Sequence, residues 1–395
     1  MTILIEITLL LIGAFALSRI AAALKLPPLL GMLAAGVVLK ALKLPIPSAT
    51  IVVGTVSTEV RLAILAVVLL RAGLGLEFSE IKKSGPLAIR MGTLPLLGDI
   101  LFVSVCSHLL LGFSLTSSLV MGTLLGAISP AIVIPALLTL LETRRGKTRK
   151  VLQSLLVGAT LDNTFAVILL GLTVEMAVST NLNISDHLLL LPFKLVGGVI
   201  GGLALGACLG VLQRFNLLRH AGARTLFLWG GSGGLIVIAQ FIPISFVIGI
   251  IVAGSVVRTR YPELGESLSA NLQQIWNIAQ YALFALIGYA IDLDPLSNTG
   301  WSLVAIILTG QFGRALFTWL ATSKQSLTLR ERSACILSYV PKATIQAAFA
   351  ALPLDQGMPE GHVLMGAAIL AILITAPLGV ISLGRGVQQL LPGTQ

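Results

Sequence analysis

The chain has 395 residues, of which 56% belong to the AVILMFWYC set and only 11% are charged, with a formal net charge of +10. A soluble domain carries roughly 25% charged residues, so the composition excludes an ordinary aqueous enzyme. It describes a polytopic membrane protein with little room for a separate aqueous domain.

Windows of about twenty apolar residues, cut by Gly, Pro and charge clusters, predict thirteen spans. In chain order they lie near 3–23, 28–42, 58–76, 86–112, 116–141, 150–178, 186–213, 224–241, 243–258, 269–292, 300–322, 331–352 and 361–384. Met1–Ile20 lacks a basic start and runs on as the first span, so no cleaved leader is expected. Threading the spans alternately puts 17 Lys/Arg on one side: Lys25, Lys82, Lys83, Arg144, Arg145, Lys147, Arg149, Lys150, Arg214, Arg219, Arg224, Arg258, Arg260, Lys324, Arg330, Arg332 and Arg385. The opposite side has only Lys40 and Lys43. The positive-inside bias then places the N-terminus outside and the C-terminus in the cytoplasm of a cell inner (plasma) membrane. The basic excess reports topology, and no nucleic-acid partner is expected.

The two halves echo each other. Gly31-Met-Leu-Ala-Ala35-Gly36 recurs as Gly249-Ile-Ile-Val-Ala253-Gly254 at an offset of 218. Leu70-Arg-Ala-Gly73-Leu-Gly-Leu76 is answered by Leu286-Ile-Gly288-Tyr-Ala-Ile-Asp-Leu293, and Pro130-Ala-Ile-Val-Ile-Pro135-Ala136 by Pro341-Lys-Ala-Thr-Ile-Gln346-Ala347 at an offset of 211. Each match alone is weak, because small residues are common in membrane helices. Three in one order with nearly one offset imply two six-helix repeats joined by the seventh span. An odd number of crossings separates equivalent helices, so the repeats are inverted, as in secondary transporters. Pro130 and Pro135 are predicted to interrupt the fifth span, and Pro341 the twelfth, freeing backbone groups near mid-membrane. Half-helix ends there suit an ion; the plainer alternative is an ordinary proline kink.

Four deep ionisable residues stand out: Asp99, Asp162, Arg314 and Lys342. Such groups are expensive in hydrocarbon and usually functional. Asp99 and Arg314 are 215 residues apart, the repeat offset, and are predicted to form a structural ion pair. Lys342, one residue past Pro341, is expected to neutralise freed carbonyls. Asp162 is left as the acid without an obvious permanent partner. Burial favours its neutral form and a bound cation favours the carboxylate, so proton and cation compete for it. That competition in a two-state carrier suffices for antiport. Ser129, Asn163 and Thr164 are candidate oxygen ligands beside Asp162 for Na⁺, and the alternative for Asp162 is a helix-packing hydrogen bond.

Other features read as ordinary. Cys106, Cys208 and Cys335 lack metal or redox spacing and look like small core residues. His108, His187, His220 and His362 are scattered. Gly230-Gly-Ser-Gly-Gly234 opens no βαβ unit and suits helix packing rather than phosphate. Trp229, Trp276, Trp301 and Trp319 suit interfaces or packing. Ser338 and Tyr339 are candidates for lining the path.

In Leu26-Pro-Pro-Leu-Leu-Gly-Met-Leu33, Leu70-Arg-Ala-Gly-Leu74, Gly126-Ala-Ile-Ser-Pro-Ala131, Leu161-Asp-Asn163 and Pro341-Lys-Ala-Thr-Ile-Gln-Ala-Ala348, the chain resembles the monovalent cation:proton antiporters. It looks most similar to bacterial relatives of the animal sodium/hydrogen exchanger domain-containing proteins. The resemblance implies an all-α NhaA-like fold with two crossing discontinuous helices, and a homodimer. It also implies scaffold helices 1–3 (residues 1–85) and 8–10 (217–294), core helices 4–6 (86–179) and 11–13 (295–395), linker helix 7 (180–216), and an elevator movement of the core. It implies no cofactor, with Na⁺, Li⁺ or K⁺ as substrate. Such families carry Asp-Asp or Asn-Asp on the sixth helix, the second residue being the ion-binding acid; here the pair reads Asp162-Asn163. Either Asp162 has taken the role, or coupling is altered or lost. The acid–arginine pair and a single titratable carboxylate point to electroneutral exchange. Two alternatives stand beside it: cation-coupled movement of an organic solute, with Arg314 and Lys342 as ligands, and a transport-inactive membrane sensor. No nucleophile–base set suggests an enzyme.

Overall fold

A computed structural model describes residues 2–24, 26–42, 57–75, 85–143, 146–178, 184–215, 217–290 and 294–391. Lys25, Lys43, Lys82, Lys83, Arg144 and Arg145, together with Leu76 and Leu293 of the repeat motif, lie outside the described residues, as do the side chains of Lys147, Arg149, Lys150 and His187. Among the described residues every regular element is helical. The helices are α1 (Thr2–Ala23), α2 (Pro28–Ala41), α3 (Ser57–Leu74), α4 (Gly85–Leu111), α5 (Leu115–Gly126), α6 (Pro130–Thr143), α7 (Gly146–Val178), α8 (Ile184–Arg214) and α9 (Ala221–Ile238). They continue as α10 (Phe246–Arg260), α11 (Pro262–Ala290), α12 (Asp294–Thr322), α13 (Leu329–Ser338), α14 (Thr344–Phe349), α15 (Leu352–Asp355) and α16 (Gly361–Ile381), which runs into a π-helical turn, Ser382–Val387, and α17 (Gln388–Leu390). Six stretches within them are long and apolar enough to cross a membrane: Gly85–Leu111, Val151–Val178, Pro192–Arg214, Ala221–Ile238, Thr299–Thr322 and Gly361–Leu390. The chain is a multi-pass membrane protein.

Two predicted spans are split. The fifth becomes α5 and α6, separated by the extended Ala127–Ser129; the twelfth becomes α13 and α14, separated by Tyr339–Ala343. Proline sets both breaks. Pro130 and Pro341 lack an N–H and hold the preceding residue, Ser129 or Val340, out of helical backbone angles. Pro135 does not break anything: it lies inside α6, as Pro95, Pro192 and Pro377 lie inside α4, α8 and α16. The expectation of an interruption there is corrected. An interior proline removes one intrahelical bond, and a membrane helix continues through it where neighbouring groups take up the freed carbonyl.

The two extended segments meet each other. Ser129 N donates to Pro341 O at 2.8 Å, and the hydroxyls of Ser129 and Thr344 lie 3.1 Å apart. Backbone groups that no helix satisfies are therefore satisfied across the crossing.

Around it α1 lies on α2, α2 on α11, and α3 on α10 and α11, while α4 runs along α12 and packs with α5 and α7. Glycine permits the closest approaches. A Cβ on Gly98 would sit 2.6 Å from Gly313 O, and one on Gly313 2.6 Å from Gly98 O, so α4 and α12 touch backbone to backbone. Gly36 meets Ala285 O and Gly288 meets Leu33 O in the same reciprocal way. With no hydrophobic drive between helices in lipid, such contact is what holds them.

Gly313→Val should destabilise the protein by about 1–3 kcal/mol or more, since it pushes α12 off α4. Gly230→Ala, where a Cβ meets nothing within 4 Å, should be neutral or stabilising. Thermal unfolding of the detergent-solubilised variants, followed by the monodisperse size-exclusion peak, checks both.

Candidate functional site

The α5/α6 break leaves the carbonyls of Leu124, Leu125, Gly126 and Ala127 without helical partners, a local concentration of negative partial charge. Three side chains answer it. Lys342, from the second break, gives Nζ to Leu125 O at 2.5 Å. Arg314 of α12 gives Nη2 to Gly126 O. Gln346 of α14 gives Nε2 to Ala127 O at 2.8 Å and to Leu124 O at 3.2 Å. Gln346 was missed by sequence reasoning; its signal was available as the one amide on the predicted twelfth helix, four residues after Lys342.

The same two bases hold the two acids. Arg314 Nε lies 2.7 Å from Asp99 Oδ2, and its Nη1 lies 3.1 Å from Asp162 Oδ2. Lys342 Nζ also pairs with Asp99 Oδ2. Asp162 Oδ1 accepts the N–H of Ile128, inside the first break, at 3.1 Å. All four side chains are buried, with residue exposures of 0% for Asp99 and Asp162 and 1% for Arg314 and Lys342. Two carboxylates face one guanidinium and one ammonium, and the formal charge of the cluster is zero. Asp99 Oδ1 keeps no partner.

The expectation that Asp162 stands without a permanent partner is therefore corrected. Arg314 reaches both acids because its planar fork presents donors in several directions, which a pairwise reading of the sequence did not anticipate. Arg314 and Lys342, the candidate ligands for an organic solute, are both engaged with carboxylates and freed carbonyls. Tyr339 and Ser338, the candidates for lining the path, are both turned inward. Tyr339 is fully buried with its hydroxyl on Leu155 O at 3.0 Å, and Ser338 donates to Ala334 O at 2.7 Å.

Asp162 and Asn163 part company. Asp162 turns into the cluster, whereas Asn163 lines a cavity of about 460 Å³ with Thr160, Thr164 and Thr344 from the α6, α7 and α14 side, and Arg71, Gln273 and Gln280 from α3 and α11. Asn163 Oδ1 is buried there without a hydrogen-bond partner. Thr164 gives its hydroxyl hydrogen to Thr160 O at 3.0 Å, and Ser129, fully buried, spends its own on or accepts from Thr344. Of the four predicted ligands, two face the cavity and two lie at the buried crossing.

A family model for the transmembrane sodium/hydrogen exchanger matches residues 5–388. The chain belongs to the sodium/hydrogen exchanger family. Among relatives of this exchanger-family chain, sodium/hydrogen exchanger 9B2 of Mus musculus is 27% identical over 94% of the chain and 69% of its own length. Sodium/hydrogen exchanger 9B2 of Homo sapiens is 28% identical over 83% of the chain and 63% of its own length. The chain thus spans about two thirds of these relatives. In fold it is similar to the sodium proton antiporter MjNhaP1 from Methanocaldococcus jannaschii at pH 8, with a TM-score of 0.72 over 98% of both chains at 16% identity. These place it in the monovalent cation:proton antiporter superfamily.

Removing Arg314 leaves buried Asp162 without a counter-charge and Asp99 with Lys342 alone. Arg314→Ala should lower stability by about 3–5 kcal/mol. Asp99→Asn, which leaves Arg314 its bond to Asp162, should cost less. Denaturant or thermal unfolding in detergent compares the two, and an equal, small effect would contradict the bridging role.

Proposed function

We propose that this chain exchanges a monovalent cation (Na⁺, with Li⁺ or K⁺ as alternates) for a proton, one for one. The observation that carries the reading is the dry, charge-neutral cluster set on two crossing helix breaks, one residue from a polar cavity. A cation entering such a cluster without loss of a proton would leave an uncompensated charge in low dielectric, which is strongly unfavourable. Neutrality therefore supports electroneutral exchange. Asp162 is the carboxylate we propose proton and cation share. A carboxylate has about four acceptor sites, and Arg314 and Ile128 use two, so a cation can still be held from the Asn163 side. Asn163, Thr164 and Ser129 supply neutral oxygens of the kind hard cations take. In the proton-loaded state that proton comes from Lys342, the only one of the two bases able to release one, so the cluster stays at zero whether Asp162 holds the proton or the cation. No cofactor is needed.

The finer architecture belongs to the same proposal: thirteen spans, two inverted repeats, and a core (86–179 and 295–395) moving against a scaffold (1–85 and 217–294) through linker 180–216. Matched glycine contacts support the repeats. Gly36 touches α11 near Gly288; its counterpart at offset 218, Gly254, touches α3 near Gly73, the counterpart of Gly288 at offset 215. Asp99 and Arg314, Ser129 and Thr344, and Gly98 and Gly313 are pairs 215 apart that meet each other, as a two-fold relation of the halves would have them do. The cavity lies on the seam between scaffold and core, which supports an elevator. So does the buried pair of Arg61 and Asp355, whose Nη2–Oδ1 and Nε–Oδ2 distances are 2.5 and 3.1 Å and which ties α3 to α15 across that seam. The homodimer, the plasma membrane and the outside N-terminus are carried by the resemblance and by the basic-loop bias.

One observation favours a second reading. The side chain facing the cavity is an amide, so the chain could bind or sense without transporting. Wild-type protein showing neither flux nor sodium-dependent stabilisation would establish that reading instead.

In proteoliposomes with a trapped pH dye, Asp162→Asn should slow sodium-driven proton efflux at least about tenfold, the loss of one charge-assisted contact. A variant as fast as wild type would overturn the assignment. Replacing Arg61 and Asp355 together by cysteines and bridging them with a bifunctional methanethiosulfonate reagent that spans the lost ion pair should arrest exchange, with recovery on reduction; undiminished flux from the cross-linked protein would contradict core movement at that seam.

A further inference from the structure

The cavity beside Asn163 contains a charge that cation exchange does not use. Arg71 lines it from α3. Its Nη2 donates to Gln273 Oε1 at 2.5 Å, and its guanidinium carbon lies 5.4 Å from the centroid of the Trp276 ring. A guanidinium has five N–H donors, and Gln273 takes one. No carboxylate lines the cavity among the described residues: the other polar side chains there are Thr160, Asn163, Thr164, Asn277, Gln280 and Thr344, all neutral. The described lining therefore carries one permanent positive charge and a set of neutral donors and acceptors. An anion is drawn into such a space.

Shape and chemistry narrow the anion. At about 460 Å³ the cavity is within the range of small-molecule sites and far larger than a halide. Beside the guanidinium it offers apolar surface from Trp276, Val68, Ile134 and Ile345. A planar fork with unspent donors matches a carboxylate in bidentate geometry. We propose that this cavity binds a small organic monocarboxylate, its carboxylate on Arg71 and its hydrocarbon part against Trp276. The site stands whether or not the chain exchanges cations, because it uses none of the four buried charges.

The test uses the full chain purified in detergent, with intrinsic tryptophan fluorescence titrated with butyrate and, separately, with chloride at constant ionic strength. Butyrate should give a saturable change, and Arg71→Gln should weaken its apparent affinity about tenfold or more. Asn163→Asp, which places a competing carboxylate in the same cavity, should weaken it similarly, and this variant decides the matter if Arg71→Gln does not fold. Thermal unfolding in the presence of butyrate should show stabilisation of wild type only. Equal affinity in wild type and both variants, or no saturable response in wild type, would overturn the site. Saturable binding of chloride with the same Arg71 dependence and none of butyrate would overturn the carboxylate class.

Discussion

Four charges share a place that water does not reach, and they sum to zero. Asp99, Asp162, Arg314 and Lys342 each lose hydration on burial, and none is tolerable there alone. Arg314 makes the arrangement possible because one rigid fork touches both acids and the freed Gly126 carbonyl. Lys342 does the remaining part, bridging Asp99 and Leu125 O. The cluster is thus both the glue of the crossing and its most delicate balance, since an ion or proton entering without one leaving would put an uncompensated charge in low dielectric.

The backbone is shaped to serve this balance. Pro130 and Pro341 end the helices where carbonyls and an N–H are wanted, and the freed groups meet Arg314, Lys342, Gln346 and Asp162 instead of lipid. Glycine at 98 and 313 brings α4 and α12 close enough for Asp99 and Arg314, each the next residue, to pair. A bulkier residue at either position would separate the charges as well as the helices. Consecutive residues of α7 then divide the work: Asp162 faces the dry cluster and Asn163 the polar cavity. A step of one residue turns a helix by about 100°, which is enough to place neighbours on different surfaces.

Much of this was legible in the sequence. Apolar windows marked the helices, the two prolines marked both broken spans, and the offset of 215 between Asp99 and Arg314 marked their contact. The division of labour at Asp162 was not legible. A sequence read in pairs assigns Arg314 to one acid, and nothing in the spacing says that its other nitrogen reaches α7. Pro135 was misread for a related reason, because a membrane helix continues through an interior proline when its surroundings take up the freed carbonyl, and spacing does not show those surroundings. Gln346 and Arg71 carried a visible signal as polar residues on apolar helices, but only the crossing shows that one caps carbonyls and the other lines a cavity.

The central claim is conservation of charge in the cluster, and membrane potential addresses it most directly. Proteoliposomes holding the wild-type protein can be clamped with valinomycin and potassium at zero and at about 100 mV, a difference that biases movement of one net charge by about 2.3 kcal/mol. If each entering cation releases one proton, the initial rate of sodium-driven proton flux and its reversal point stay the same at both potentials. A reversal point that moves with voltage would mean that net charge crosses, and that the neutral cluster does not govern exchange.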